Sequence, residues 1–126
     1  MKILHLSYKD TSEGAAIAAE RLSKALIRSG VDSKLLVQTQ LTDQPFVRSI
    51  SIGKLDKVAS FFRVRVDIII NKLFIRNSIE YFTLPIIGSN VNRNKLIKES
   101  DIIHLHLVNR GFVSIETLNK LSKFNK

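Results

Sequence analysis

The 126-residue sequence has no cysteine and no tryptophan, and only two prolines and five glycines. Without cysteine, disulfide frameworks and cysteine-ligated zinc sites are excluded, and the composition is compatible with a reducing cytoplasm. Long uncharged apolar runs are also missing, because the most hydrophobic stretch, residues 61–75, carries two arginines, an aspartate and a lysine. The apolar run in the first ten residues is short and is followed at once by charged residues, so it does not form a signal peptide. We expect a soluble, cytoplasmic protein, with the inner face of the membrane as an alternative location.

Acidic residues are scarce relative to basic ones: 11 Asp and Glu stand against 20 Lys and Arg, so the net charge is +9 and the pI about 10.1. This balance indicates an anionic partner, such as a phosphorylated ligand, an acidic membrane surface or nucleic acid. The alternative is that the excess basic residues only keep the protein surface solvated. No nucleic-acid-binding motif occurs and aromatics are not interleaved with the basic residues, so we expect no nucleic acid as a partner.

The first forty residues predict a strand, a helix and a second strand. Residues 2–7 are short and apolar, residues 13–29 have helical periodicity, Gly30 suits a helix C-terminal cap, and residues 33–39 are again strand-like. The predicted apolar stripe of the helix consists of Ala15, Ala18, Ala19, Leu22, Ala25 and Leu26. Such a unit predicts parallel strands with a right-handed crossover, hence an α/β fold with a Rossmann-like open, mostly parallel sheet flanked by helices.

The rest of the chain alternates in the same way. Residues 46–51 predict a short strand, 54–76 a long helix rather than a strand, 92–100 a short helix and 101–108 a strongly buried strand. A last helix follows over 114–123, with Ser114 as its N-cap. No further strand follows that helix, so we expect residues 1–126 to be a single domain that is truncated relative to a larger protein.

Gly14 lies where the first strand gives way to the first helix, and a helix N-terminus suits phosphate or carboxylate. The loop lacks the further glycines of the dinucleotide fingerprint, and Gln38 or Thr39 stands where that fingerprint needs an acidic residue. A P-loop is excluded for want of its Gly-Lys-Ser/Thr sequence. The alternative is that Gly14 only serves a turn.

His104 and His106 are two residues apart on a predicted strand and therefore share one face. A metal site would need further ligands, for which Asp101 and His5 are the candidates, and we predict no metal and no cofactor. His106 falls near the carboxyl end of its strand, with Asn109 and Arg110 in the following loop. Ligands of open α/β sheets bind at that edge, so these residues are candidate ligand contacts.

A basic segment surrounds the predicted long helix. Its predicted membrane-facing residues are Lys54, Lys57, Arg63, Arg65 and Lys72. A basic amphipathic helix is typical of surfaces that lie on anionic lipid. The alternative is a solvated outer face above a core-facing stripe.

Three segments together resemble the N-terminal region of glycosyltransferase family 4, the retaining enzymes of GT-B fold. They are ILHLSYKDTSEGAAIAAERLSKALIRSGVDSKLLV, EYFTLPIIGSN and SDIIHLHLVNRGFVSIETLNKL, spread over nearly the whole chain. The most specific features are the Gly-Ala-Ala-x-Ala-Ala-x-Arg-Leu run and the Asp-Ile-Ile-His-Leu-His strand with its following Asn. Leu107 departs from the aromatic that the family often has after the second histidine.

The resemblance implies transfer of a sugar from a nucleotide diphosphate sugar to a glycan or glycolipid acceptor. It implies that Gly14 and Ala15 approach the donor diphosphate and that His106 and Asn109, with Arg110 beside them, serve the acceptor.

The resemblance also implies a second domain, which holds the nucleotide sugar. We expect that domain and the main catalytic residues to lie beyond Lys126, the last residue of the sequence, and we name no catalytic residue within the chain. We therefore expect no sugar transfer by this chain alone. Separately, we expect a homodimer that forms through an exposed apolar edge. The competing interpretation is a non-catalytic basic α/β module that binds an anionic surface or a phosphorylated ligand.

Overall fold

The computed structural model describes residues 1–50, 58, 61–62, 65–66, 68–69, 88–89, 91–108 and 110–124. Its elements in chain order are β1 (Lys2–Lys9), α1 (Gly14–Arg28), β2 (Asp32–Thr39), β3 (Val47–Ser49), a 3-10 turn (Val91–Arg93), α2 (Lys95–Glu99), β4 (Ile102–Leu105) and α3 (Ile115–Ser122). The four strands form one sheet in the order β3-β2-β1-β4, and every neighbouring pair is parallel. The α/β class predicted from the sequence is confirmed.

The first unit, β1–α1–β2, has the predicted order and nearly the predicted bounds. Its strands pair over most of their length, from Lys2 against Asp32 to Lys9 against Thr39. Gly30 ends the helix in a left-handed conformation, with φ of +81°, and its N–H donates to Ile27 O at 3.0 Å. This cap confirms the assignment made from the sequence, because a residue with a Cβ is strained at that φ.

The buried face of α1 differs from the predicted stripe. The buried residues are Ala16, Ala19 and Ser23, of which Ala19 belongs to the predicted stripe. Ala15 and Leu26 of that stripe are half-buried, and its other members are exposed, namely Ala18, Leu22 and Ala25. The prediction was therefore right only in part, because an alanine-rich helix offers two adjacent apolar stripes and periodicity alone does not choose between them. Small side chains on the buried face allow α1 to lie close to the sheet, and the larger Leu22 is therefore turned outward.

The sheet carries a core on each face. One cluster contains Leu4, Leu6 and Leu36 of the sheet packed against Ile97 of α2 and Phe112 of the segment before α3. The other is smaller and joins Ala19 of α1 to apolar residues of β2 and β3, namely Leu35, Val37 and Val47. Because side chains alternate along a strand, odd-numbered residues of β1 share the α1 face with their β2 partners.

β4 is correctly predicted as a strand but is less buried than expected. It forms an edge of the described sheet, and Ile102 and Leu105 are 43% and 41% exposed. The prediction of strong burial failed because a continuous apolar run gives hydrophobicity but not the number of neighbouring strands. The α3 helix begins as predicted, with the Ser114 side chain accepting a hydrogen bond from Thr117 N–H at 3.2 Å.

Most of the predicted helix over 54–76 lies outside the described residues, including Lys54, Lys57, Arg63 and Lys72. The seven residues described there, namely Val58, Phe61, Phe62, Arg65, Val66, Ile68 and Ile69, are helical in conformation and exposed. No helix in the part of the chain that the structure describes is long and apolar enough to cross a bilayer.

Candidate functional site

The loops that follow β1 and β4 meet at the carboxyl edge of the sheet. The Tyr8 N–H donates to Leu107 O at 2.6 Å, which holds the two strand ends side by side. Beyond that contact, the Arg110 guanidinium donates to Glu13 Oε1 at 2.7 Å across 97 residues of sequence. The structure therefore brings the predicted Gly14 loop and the predicted loop after β4 into one place, at the edge where open parallel sheets bind ligands.

The turn that carries Arg110 has an uncommon backbone. Arg110 has φ of +56° and Gly111 has φ of +69°, so two successive residues occupy the left-handed region. For a residue with a side chain this conformation is strained, by about 1–3 kcal/mol, and such strain is often found at functional sites. The turn leaves the guanidinium carbon of Arg110 5.8 Å from the centre of the Tyr8 ring.

Glu13 is the acceptor shared by two cations. Lys9 Nζ lies 3.5 Å from the same Glu13 oxygen that Arg110 contacts. All three side chains are partly exposed, so the cluster is open to solvent and carries one net positive charge. Burial raises the pKa of the neighbouring Tyr8 phenol, an effect that the positive charge of Arg110 opposes.

The N-terminus of α1 has no side-chain cap. Glu13 occupies the N-cap position in an extended conformation, but its side chain makes no capping bond, and the first turn holds no acidic residue. The first helical hydrogen bond runs from Ile17 N–H to Glu13 O at 2.9 Å. Within the described ranges, the N–H groups of residues 14–16 have no hydrogen-bond acceptor. The helix end therefore offers free donors together with the positive end of the helix dipole.

Gly14 is not required by the packing or by the backbone conformation. A Cβ built on Gly14 meets no atom within 4 Å, and its φ lies outside the left-handed region. Gly14 is exposed and Ala15 is half-buried. The small residues at this position therefore leave open space in front of the free N–H groups, which is the arrangement a close-approaching anion needs.

Three histidines lie together on the α1 face of the sheet. In the register His5 pairs with His104, and His106 follows two residues later on the same side. His5 Nδ1 and His106 Nε2 are 2.9 Å apart, and one of the two nitrogens donates to the other. The ring centres of the three pairs are 4.5–5.3 Å apart.

Two of the three histidines, His5 and His106, have a lowered pKa. Burial, and then the positive charges that His106 and His104 would carry, lower the pKa of His5 to about 4. Burial followed by the charge of His104 also lowers the pKa of His106. His5 is fully buried, and its Nε2 has no hydrogen-bond partner within the described residues. His5 and His106 are therefore unprotonated at physiological pH.

Two further residues named from the sequence lie away from this edge or have other partners. Asp101, considered as a metal ligand, lies at the opposite end of β4, where its Oδ2 accepts from Lys2 N–H at 2.7 Å. Gln38 is buried, and its Oε1 accepts from the Ser89 hydroxyl at 2.7 Å. The burial and contact of Gln38 add to the sequence evidence against a dinucleotide site, in which a carboxylate at this strand end contacts ribose.

Asn109, predicted to contact the acceptor, lies outside the described residues, as do the four basic residues of the predicted long helix named above. The acceptor role of Asn109 therefore stays a prediction.

Lys9, Tyr8 and Glu13 are site residues that the sequence prediction missed. Lys9 and Glu13 are four residues apart, a spacing that by itself predicts an ion pair on a helix surface, but here both residues precede the first residue of α1. No family model matches the chain, and no curated protein or solved structure is similar enough to count as a match.

Proposed function

We propose that this chain is the Rossmann-like, acceptor-side domain of a retaining glycosyltransferase of GT-B fold, whose α1 N-terminus receives the donor's diphosphate. The observation that carries the proposal is the uncapped start of α1 at the carboxyl edge of a parallel sheet, with Lys9 and Arg110 beside it. The sequence resemblance to glycosyltransferase family 4 supports the same assignment through the Gly14 loop and the histidine-containing strand.

Charge explains how the diphosphate binds. The free N–H groups of the first turn donate to phosphate oxygens, and the helix dipole favours the negative charge. Arg110 matches phosphate geometry with two parallel donors, whereas Lys9 acts as a compact positive charge. In the absence of ligand, Glu13 holds both cations at the edge of the site, and an arriving diphosphate competes with it for them.

The acceptor is a glycan or a glycolipid, bound by His106 and Asn109 in the loop after β4. His106 is half-buried at the end of the strand, with its Nε2 in contact with His5. Arg110 was predicted from the sequence to contact the acceptor together with these two residues. Because Arg110 contacts Glu13, we place Arg110 at the border between the donor and acceptor sides. Transfer itself needs the nucleotide-binding domain, so we expect no product from this chain in a mass-spectrometric transfer assay.

The test is a titration of the ¹⁵N-labelled chain with UDP, and with inorganic pyrophosphate to separate phosphate from nucleoside recognition. We expect amide shifts at residues 14–16 and at Arg110. Gly14→Asp places a carboxylate in the first turn, so it should weaken binding by at least about tenfold while leaving the helix as stable or more so. Ser29→Asp is the control, because it adds the same charge at the exposed C-cap of α1, the opposite end of the same helix. Equal affinity of the Gly14→Asp variant and wild type would refute the diphosphate site.

A second candidate, binding of an anionic membrane surface without chemistry, is favoured by the residues around position 61. Val58, Phe61, Phe62 and Ile69 are 52–61% exposed in helical conformation, at spacings of three, four and seven residues. Arg65 lies with its guanidinium carbon 5.0 Å from the Phe61 ring centre. Aromatic side chains next to a cation suit the boundary between lipid headgroups and acyl chains.

Co-sedimentation with liposomes tests this candidate. We expect binding to vesicles with phosphatidylserine, loss of binding at high salt, and loss on replacing Phe61 and Phe62 together by serine. Ile115→Ser is the matched control, since Ile115 is 64% exposed on α3. Equal binding to neutral and anionic vesicles would contradict the electrostatic part of the proposal, and unchanged binding of the double variant would contradict the apolar part.

A further inference from the structure

We propose that His5, His104 and His106 form a binding site for Zn²⁺, with the fourth coordination position open to solvent. The site goes beyond the proposed glycosyltransferase function: it shares His106 with the proposed acceptor side but has no residue in common with the proposed diphosphate site. It lies on the face of the sheet between β1 and β4, whereas the proposed diphosphate site is the N-terminus of α1.

The two strands place the three imidazoles in a geometry close to that of a tetrahedral site. One ligand nitrogen from each histidine can be chosen so that all three lie within 4.8 Å of one another. In a tetrahedral site with Zn–N bonds of about 2.05 Å, ligand nitrogens are about 3.3 Å apart. A shift of about 1 Å per nitrogen closes that difference. Rotation about the side-chain bonds supplies this shift, while the paired strands keep the backbone in place.

The chemical state of the cluster suits a metal. Zinc is bound by imidazole nitrogens in their neutral form, and the two paired strands hold the three rings next to one another. Among the described residues no partner reaches Nε2 of His5, although the side chain is fully buried. A buried polar nitrogen without a partner costs free energy. Coordination of a cation by His5 offsets that cost.

The ligand types select the metal. Three imidazoles without a carboxylate suit zinc and the neighbouring transition metals, whereas magnesium and calcium require oxygen ligands. Two acidic groups close in sequence to β1 and β4 have other partners: Glu13 contacts Lys9 and Arg110, and Asp101 contacts the Lys2 backbone. Since the three ligands are neutral, the full charge of the ion remains, and the fourth position accepts water or an anion.

Access to the site is through His104. His104 and Ile102, on the same side of the edge strand, are exposed. An ion therefore reaches the cluster from solvent without opening the core. The same exposure makes His104 the residue to substitute, because the fold does not depend on its burial.

The experiment uses the untagged 126-residue chain, stripped with EDTA and titrated with Zn²⁺ by calorimetry and with Co²⁺ by absorption spectroscopy. We expect one ion per chain, intense d–d bands typical of four-coordinate Co²⁺, and a rise in the melting temperature with Zn²⁺. His104→Ala should fold normally and bind Zn²⁺ more than about tenfold more weakly. Binding should also fall on acidification, because protons compete with the metal ion for the imidazole nitrogens.

Two control variants separate this site from the diphosphate site. Gly14→Asp and Arg110→Ala should bind Zn²⁺ with wild-type affinity, whatever their effect on UDP. His104→Ala with wild-type Zn²⁺ affinity, a stoichiometry below one, or weak octahedral-type Co²⁺ bands would overturn the proposal. Because His5 is buried, His5→Ala is used only if its circular dichroism matches wild type, and it should then also lose Zn²⁺ binding.

Discussion

Acidification should destabilise this fold through His5. The perturbation is a change from pH 7.5 to pH 5.0 in the presence of EDTA. His5 is fully buried and its pKa is lowered to about 4, against about 6.5 in an unfolded chain. Between these two values the unfolded chain binds a proton that the folded chain does not bind. Stability is therefore highest above pH 6.5 and is lost as the pH falls towards 4.

The magnitude follows from the two pKa values of His5. At pH 5.0 the linkage relation gives a loss of about 2 kcal/mol, and the limit below pH 4 is about 3 kcal/mol. Burial and the charge of His104 also lower the pKa of His106, which acts in the same direction. The carboxyl of Asp10 titrates below this window: burial raises its pKa, but hydrogen bonds from Thr42 and the Leu41 N–H outweigh burial and lower it overall.

Urea unfolding followed by circular dichroism measures the effect. With a slope of about 1–3 kcal/mol per molar urea, a loss of about 2 kcal/mol moves the midpoint down by about 1 M. His5→Leu should flatten the pH dependence, whereas His104→Gln should retain most of it because the pKa of His5 is lowered mainly by burial. Equal midpoints for the wild type at pH 7.5 and pH 5.0, or an unchanged slope in His5→Leu, would refute the reasoning.

Three further predictions concern packing, a loop anchor and assembly. Gly88→Ala should lower the melting temperature, because a Cβ there would lie against the backbone nitrogen of Ser114 and the overpacking costs about 1–3 kcal/mol. Asp10→Asn should destabilise by about 1–3 kcal/mol, since its carboxylate accepts three hydrogen bonds from the loop after β2. Sedimentation equilibrium should show a dimer formed through the exposed β4 edge, which Ile102→Lys should dissociate.

Each of these three predictions has its own control variant. Gly14→Ala should be neutral or stabilising because its Cβ meets open space, so a loss equal to that of Gly88→Ala would contradict the packing argument. Asp43→Asn changes an exposed aspartate next to the anchored loop and should have little effect on urea unfolding. Leu41→Lys adds the same charge at another exposed apolar residue, and a dimer that survives Ile102→Lys but not Leu41→Lys would place the interface elsewhere.

The candidate site was only partly predictable from the sequence. Gly14 and the loop after β4 were identified because strand-to-helix junctions and strand ends are local patterns. Their meeting through Glu13 and Arg110 depends on β1 and β4 being neighbours, across 97 residues of sequence. His5 was named as a possible partner of His104, but the expectation was that no metal site forms. Only the parallel register, which sets His5 opposite His104, brings the three rings together.

Local patterns in the sequence by themselves determined the α/β class, the bounds of the first strand–helix–strand unit, the Gly30 cap and the Ser114 cap, because these depend on periodicity and on conformational preferences of single residues. Tertiary structure decided which side of α1 is buried, that β4 lies at an edge of the described sheet, and which charged side chains share Glu13. Those features depend on strand order and on packing between distant segments, and neither is encoded in the spacing of nearby residues.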